Sequence, residues 1–371
     1  MVKKGNLAII GASYLQLPLI EKAKELGYST HVFAWAANDV GEKAADYFYP
    51  ISITEVEQIT EKCREIGICG ICSIATDLGN ITVNYVANKL GLPCNTPEST
   101  KKSTNKHLMR QAFEVSGDPS PKSIQVDENT DLSKLELIYP VIVKPTDRSG
   151  SRGIFKLENK DGLENAVKAA MSEGFEKKVL IEEFAEGQEY SVEGITYNGE
   201  HHILAMTLKY TTGAPHFIET GHMEPAPVSE EIFNNVVKVI KHALDTLEIK
   251  NSASHSEIKI DKNGKIRIIE IGARMGGDCI GSDLVKYSTG IDYLKAVIDV
   301  ACGNEPDLNS YGDLCSPEVR FILTKEDLNE FNRIKEKEPE KLLKVVDVAH
   351  LDLIGKTTDS SDRAGCYIIK R

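Results

Sequence analysis

Short apolar runs alternate with amphipathic stretches through the first hundred residues. The Leu-Ala-Ile-Ile run at 7–10 ends at Gly11, apolar positions at helical spacing follow over 17–26, and Gly27 stops them. A strand over 29–34, a helix over 54–66, a strand over 70–74 and a helix over 80–90 continue the alternation. Strand and helix in turn predict a parallel sheet with right-handed crossovers, a Rossmann-like half-unit. The turn Gly11-Ala12-Ser13 lacks the G-x-G-x-x-G spacing of a dinucleotide site, which leaves a tight strand-to-helix turn, near a substrate or merely structural.

A charged helix is expected over 98–116, introduced by Thr96-Pro97 and closed by the Gly117-Asp-Pro-Ser-Pro121 cluster. Beyond that cluster the pattern turns to strands and hairpins: 141–144, 153–156, 178–182, 190–197, 201–209, then 256–260 and 265–271 joined through Asn263-Gly264. From about Pro306 the chain reads as a smaller mixed unit with a solvated, charge-alternating helix over 325–341.

At 371 residues the chain has room for two or three domains. Its 41% hydrophobic and 27% charged residues exclude collagen-like and disordered chains. The apolar runs fall short of the roughly 18 residues that a membrane-spanning helix needs. The residues after Met1 do not read as a signal peptide, so the expected location is cytoplasmic. A net charge of −12 opposes a nucleic-acid groove and favours small-molecule partners. Eight cysteines without a secretory signal read as reduced thiols, and Cys69-x-x-Cys72 lies within a buried-strand pattern with no second pair to complete a zinc site.

The chemistry begins at Ile142-Val-Lys144-Pro145. A lysine at the end of an apolar strand has its stem packed and its ammonium aimed. The loop that follows contains Ser149, Gly150, Ser151 and Gly153, whose backbone amides can converge on an anion. Lysine and loop together read as a phosphate clamp. Strand 179–182 then runs through Glu182 to Ala185 and Glu189. Backbone groups at such an exit can read an adenine edge, and the two oxygens of Glu189 can accept both ribose hydroxyls. The strongest constellation is His255-Ser-Glu257-Ile-Lys-Ile with Ile269-Glu270-Ile-Gly-Ala-Arg274-Met-Gly-Gly277. Glu257 and Glu270 alternate with isoleucines on the two strands of one hairpin, so both carboxylates can share a face. Two hard oxygen ligands without His or Cys suit Mg²⁺ held jointly with phosphates. Arg274, four residues on, can brace developing negative charge.

In this order, across residues 1–310, these segments resemble the ATP-grasp superfamily. Within it the chain is similar to the L-amino acid ligase group of carboxylate–amine ligases. That likeness rests on Pro215-His-Phe-Ile-Glu219-Thr-Gly-His222 with Pro225, on Glu270 to Asp278, and on Ser360-Ser-Asp-Arg-Ala-Gly365. The resemblance implies an α/β ATP-grasp fold: a Rossmann-like domain over 1–97, an ATP-grasp domain over 98–305 with a lid at about 120–185, and a small α+β unit over 306–371. It implies that Lys106 and Lys144 contact ATP phosphates under a closing loop at 149–153. Glu182 and Ala185 would face adenine, Glu189 the ribose, and Glu257 with Glu270 one or two Mg²⁺, for which Mn²⁺ can substitute. Arg274 and Lys144 would be catalytic, and Glu219, His222, Arg274, Gly276 and Gly277 would line the substrate pocket. The usual E-x-N-x-R is altered here, with Gly272 in the Asn position, so Glu270 would have to bridge both ions.

The activity implied is ATP-dependent joining of a carboxylate to an amine through an acyl phosphate, releasing ADP and phosphate, in a chain that could work as a homodimer. An enzyme of the carbamoyl-phosphate-synthase or carboxylase kind acting on bicarbonate is the second reading. It is opposed by the absence of duplicated halves and of a biotinyl Met-Lys-Met. A non-catalytic ATP-binding regulator is the third, opposed by the intact Glu257, Glu270 and Arg274.

Overall fold

The computed structural model describes residues 4–148, 152–213, 218–348, 350–356 and 362–371. Ser149, Gly150 and Ser151 of the expected phosphate loop, and Pro215 to Phe217 of the ligase-like segment, lie outside the described residues.

The alternation at the N-terminus gives β1 (Asn6–Ile10), α1 (Leu17–Glu25), β2 (Ser29–Phe33), α2 (Val40–Ala44), β3 (Tyr47–Tyr49), α3 (Val56–Ile66), β4 (Gly70–Cys72) and α4 (Asp77–Leu90). The strands form one parallel sheet in the order β3-β2-β1-β4. Thr76 caps α4 by accepting the Gly79 amide, and Gly91, in the left-handed region, ends it. In the first turn Gln16 Oε1 takes the Ser13 amide and hydroxyl while its Nε2 donates to Ile74 O at 2.8 Å, so the turn is closed by its own side chain.

The expected helix over 98–116 is two helices, α5 (Pro97–Thr104) and α6 (Lys106–Ser116). Asn105 separates them: its backbone is extended and its side chain accepts the amides of His107 and Leu108, the hydrogen bonding of an N-cap. The break places Lys106 at the first position of α6, where its amide donates to Thr146 O.

Next come β5 (Ser123–Val126), β6 (Val141–Pro145), β7 (Phe155–Leu157), α7 (Leu163–Glu173) and β8 (Val179–Glu183). Their strands make an antiparallel sheet in the order β5-β8-β6-β7, and α7 buries Leu163, Ala166, Val167 and Ala170 with Val141, Val143 and Ile181 in a core of its own.

The largest sheet takes β9 (Gln188–Tyr197), β10 (Glu200–Thr211), β11 (Glu219–Met223), β12 (Ser252–Ile260) and β13 (Ile266–Gly272), with α8 (Glu230–Thr246) packed on it. After α9 (Val285–Thr289) and α10 (Tyr293–Ala301), the strands β14 (Pro317–Ile322), β15 (Leu342–Asp347) and β16 (Gly365–Lys370), with α11 (Lys325–Lys337) after β14, extend the same sheet to β13-β12-β9-β10-β11-β14-β16-β15. Residues of α10 share one core with β1, β2 and β9, which joins the large sheet to the N-terminal one. The β12–β13 turn is longer than a two-residue hairpin: Asp261 Oδ1 accepts the amides of Asn263 and Lys265, and Gly264 supplies φ +78°. No helix among the described residues is long and apolar enough to cross a membrane.

Candidate functional site

A cavity of about 170 Å³ opens where β6 and β8 of the smaller antiparallel sheet face β12 and β13 of the larger. Lys106, Lys144, Glu182, Ala185, Glu189, Glu219, Glu257, Glu270 and Arg274, all singled out from the sequence, line it together. A larger opening of about 570 Å³ lies between α6 and β5 and shares only Glu182 and Glu183 with that lining.

The β12–β13 register explains the carboxylates. Glu257 and Glu270 are direct cross-strand partners, and the flanking Ile258, Ile268 and Ile271 are fully buried on the other side. Immediately beyond the pair the register shifts, because β13 carries one extra residue, Ile269, between Ile268 and Glu270. Among the described residues no cluster of three or more His, Cys, Asp or Glu could cage a metal. The donor set therefore fits an ion that takes its remaining ligands from phosphate oxygens and water, as Mg²⁺ does.

Each of these carboxylates meets a lysine. Lys106 Nζ lies 2.7 Å from Glu270 Oε1 and donates to Arg148 O at 2.7 Å. Burial opposes its charge, but Glu270, joined by Asp77 and Glu257, holds the ammonium above its usual range. Lys209 Nζ lies 2.6 Å from Glu257 Oε1, 3.0 Å from Glu189 Oε1 and 3.6 Å from Glu219 Oε1. Burial is again overcome, here by Glu257, Glu189 and Glu219, and the ammonium titrates well above the usual lysine range.

On the opposite wall the buried Glu182 carboxylate binds Lys144 Nζ at 2.6 Å and Arg110 Nε at 2.7 Å. Arg110 also donates from Nη2 to Ile269 O at 2.6 Å. Burial pushes the Glu182 carboxyl up, but the two cations hold it below its ordinary range. Burial lowers Lys144, which Glu182 only partly offsets.

Arg274 is held by Asp77, the first residue of α4, with Nε 2.8 Å from Oδ1. Gly272 explains the departure from E-x-N-x-R: a Cβ there would stand 3.2 Å from Asp77 Oδ1 and 3.3 Å from Arg274 Nε, pressing on this ion pair. Behind it, Glu193 accepts the Gly276 amide at 3.0 Å and pairs with His255. Burial would lower the imidazole, yet Glu193 raises it to about 9, so His255 is cationic at neutral pH. A Cβ at 276 would come within 2.6 Å of His255 Nδ1, so only glycine fits.

Four expected residues stand apart. His222 is buried edge-on to Phe321 at 5.4 Å, with Nδ1 lacking a hydrogen-bond partner among the described residues. Burial, with the Lys209 charge beside it, pushes its pKa down to about 3. It is therefore neutral and lies outside the cavity lining. Gly276 and Gly277 are not in that lining either: Gly277 faces Ala75 and Leu15 of the N-terminal region. Gly153 follows the undescribed loop residues and packs near Glu173 and Pro145.

The sequence reading did not single out Asp77, Arg110, Glu193 or Lys209, and it gave Arg363 no role. Arg363 bridges Glu219 at 3.0 Å and Asp278 at 2.9 Å with its guanidinium 3.8 Å above the Phe321 ring. Only Lys209 left a signal, a cation at the end of a strand whose preceding residues are apolar or small.

The ATP-grasp domain model matches residues 137–283. The alanine–anticapsin ligase of Bacillus subtilis is 28% identical over 306 residues, 73% of this chain. The chain spans 64% of that ligase's length. The whole chain superposes on an L-amino acid ligase from Bacillus licheniformis with a TM-score of 0.81 at 22% identity, covering 94% of that structure. A phosphoribosylglycinamide synthetase from Anaerococcus prevotii superposes over 99% of this chain and 94% of its own with a TM-score of 0.76, also at 22% identity. The parallel N-terminal sheet and the two antiparallel sheets agree with the fold of these structures, and residues 137–283 match the ATP-grasp domain.

Proposed function

We propose that this chain is an ATP-dependent carboxylate–amine ligase that joins an amino acid or related carboxylate to an amine. One observation carries the reading: Glu257 and Glu270 are cross-strand partners in the same cavity as Lys106, Lys144 and Arg274. The likeness to an alanine–anticapsin ligase supports it.

In this reading the γ-phosphoryl group of ATP passes to a carboxylate oxygen of the first substrate, and ADP leaves. The amine nitrogen then attacks the acyl carbon, gives up a proton to the departing phosphate or to water, phosphate leaves with the carbon–oxygen bond electrons, and an amide results. Lys106 and Lys144 bind the phosphates, and Glu189 accepts from the ribose. The strand end from Glu182 to Ala185 faces adenine. Glu257 and Glu270 would hold Mg²⁺, which when bound supplies charge neutralisation at the polyphosphate. Arg274, kept in place by Asp77, meets the negative charge that grows at the reacting centre. Glu219 and its ion-pair partner Arg363 stand where the second substrate would enter.

The same reading takes residues 98–305 as the catalytic domain between a domain over 1–97 and a small unit over 306–371. It takes the segment from about 120 to 185, which has its own sheet and core, as a lid that keeps water from the acyl phosphate. It includes work in the cytoplasm on two small molecules, and a homodimer suits it.

Phosphate release, measured across pairs of amino acids and small carboxylates with ATP and Mg²⁺, tests the proposal. An amide of the two substrates identified by mass spectrometry is the expected outcome. ATP turnover that needs bicarbonate and no amino acid would refute it.

A further inference from the structure

Both carboxylates that the ligase reading assigns to metal give one oxygen to a lysine. Glu270 Oε1 meets Lys106, and Glu257 Oε1 meets Lys209. In both, the lysine takes the Oε1 atom, so Oε2 is the oxygen not engaged by it. Lys209 is the less expected of the two lysines. Its side chain is 4% exposed, and its one ammonium faces carboxylates from three strands: Glu189 on β9, Glu219 on β11 and Glu257 on β12. Without it, three negative charges would crowd one partly dry corner. No step of the ligase chemistry uses it.

We propose that Lys209 is a positioning residue that makes metal binding conditional on nucleotide. While its ammonium neutralises Glu257, a free divalent cation gains only the two Oε2 atoms and must settle beside two ammonium groups. Coulomb repulsion at this range, in a medium far less polarisable than water, removes most of the benefit. A polyphosphate changes the balance, because its own charge offsets Lys106, Lys144 and Lys209, so the metal enters together with the nucleotide. Taking the Lys209 charge away leaves Glu189, Glu219 and Glu257 converging with only Arg363, on Glu219, and His255, near Glu257, to oppose them, which is a better site for a bare divalent cation than the parent offers. The inference rests on the ligase reading in taking Glu257 and Glu270 as metal ligands.

The test uses Mn²⁺ alone as the probe. The full chain is titrated with MnCl₂ without nucleotide, free Mn²⁺ is read by electron paramagnetic resonance, and the titration is repeated with ADP. The parent binds Mn²⁺ weakly alone and tightly with ADP. Lys209→Met and Lys209→Gln bind Mn²⁺ alone at least about tenfold more tightly and lose most of the ADP dependence, whereas Lys209→Arg stays parental. Neutral variants that match the parent within about twofold, or bind more weakly, overturn the proposal. Should the neutral variants be unstable, their melting temperature is read instead: Mn²⁺ alone must raise it more than it raises the parent's, or the proposal falls. A parent that binds ADP with Mn²⁺ beside unchanged variants sinks this inference alone. A parent that binds no ADP under any condition sinks the ligase reading with it.

Discussion

The two walls of the cavity differ in their balance of charge. On the β6–β8 side one buried carboxylate, Glu182, answers two cations, Lys144 and Arg110. On the β9–β12 side Lys209 stands among three carboxylates, Glu189, Glu219 and Glu257, with Arg363 also on Glu219 and His255 near Glu257. Burying a charge is costly unless it is paired, and a lopsided count persists where a ligand of opposite sign completes it. In the ligase reading the first wall would meet the phosphates and the second the metal. A third buried carboxylate, Glu224, calibrates both. Among the described residues it meets no cation, only the hydroxyls of Thr207 and Ser288, and burial raises its pKa to about 7 against those bonds.

The sharpest way to break this comparison is to remove the carboxylate that holds the positive wall together. Glu182→Gln leaves Lys144 and Arg110 buried without their counter-charge. The expected loss is about 3–5 kcal/mol of stability in denaturant unfolding, and a loss below about 1 kcal/mol would show that the two cations do not depend on Glu182.

Arg274 lies between the walls, and its effect falls on rate. Arg274→Lys keeps the charge and loses the planar fork, so kcat should drop by about 10²–10³ while ATP affinity, measured separately, hardly changes. Equal losses of rate and affinity would remove Arg274 from catalysis.

Glu224 supplies a pH test. Its folded pKa, about 7, exceeds the ordinary 4.5, so the stability it contributes is complete below pH 4.5 and is lost as pH rises through 7. The shift is equivalent to about 3 kcal/mol. Glu224→Gln should flatten the unfolding free energy between pH 5 and 8 relative to the parent, and an unchanged slope would mean that the carboxyl is ionised throughout.

The smallest effect is expected at the phosphate contact. Lys144→Ala removes one charge-assisted contact worth roughly 1.5–3 kcal/mol, or about 10- to 150-fold in ATP affinity by calorimetry. Parental affinity would contradict an anion-binding wall.

The β12–β13 hairpin could be read from the chain because isoleucines beside Glu257 and Glu270 and the Asn263-Gly264 turn mark two paired strands, though the bulge that leaves Ile269 unpaired between Ile268 and Glu270 could not. Lys144 was legible for a similar reason, a cation closing an apolar strand. The break at Asn105 was not, because the helical periodicity runs on through 98–116 and only a side chain that caps α6 interrupts it. Nor was the Asp77–Arg274 pair: an aspartate opening a helix is ordinary, and nothing local announces a partner 197 positions away. The surroundings of His222 were not legible, because its burial against Phe321 depends on β14, which only the assembled sheet brings beside β11.

That separation along the chain bears on the order of assembly. Lys209 meets its carboxylates within one sheet region, but Lys106 meets Glu270 across 164 positions, Arg274 meets Asp77 across 197, and Arg363 meets Glu219 across 144. Hairpins close in microseconds, whereas contacts between distant segments form late and slowly. A refolding chain should therefore regain its far-ultraviolet circular dichroism first. Nucleotide binding should return in a later phase, when the N-terminal helix α4 docks and Arg274 finds its anchor.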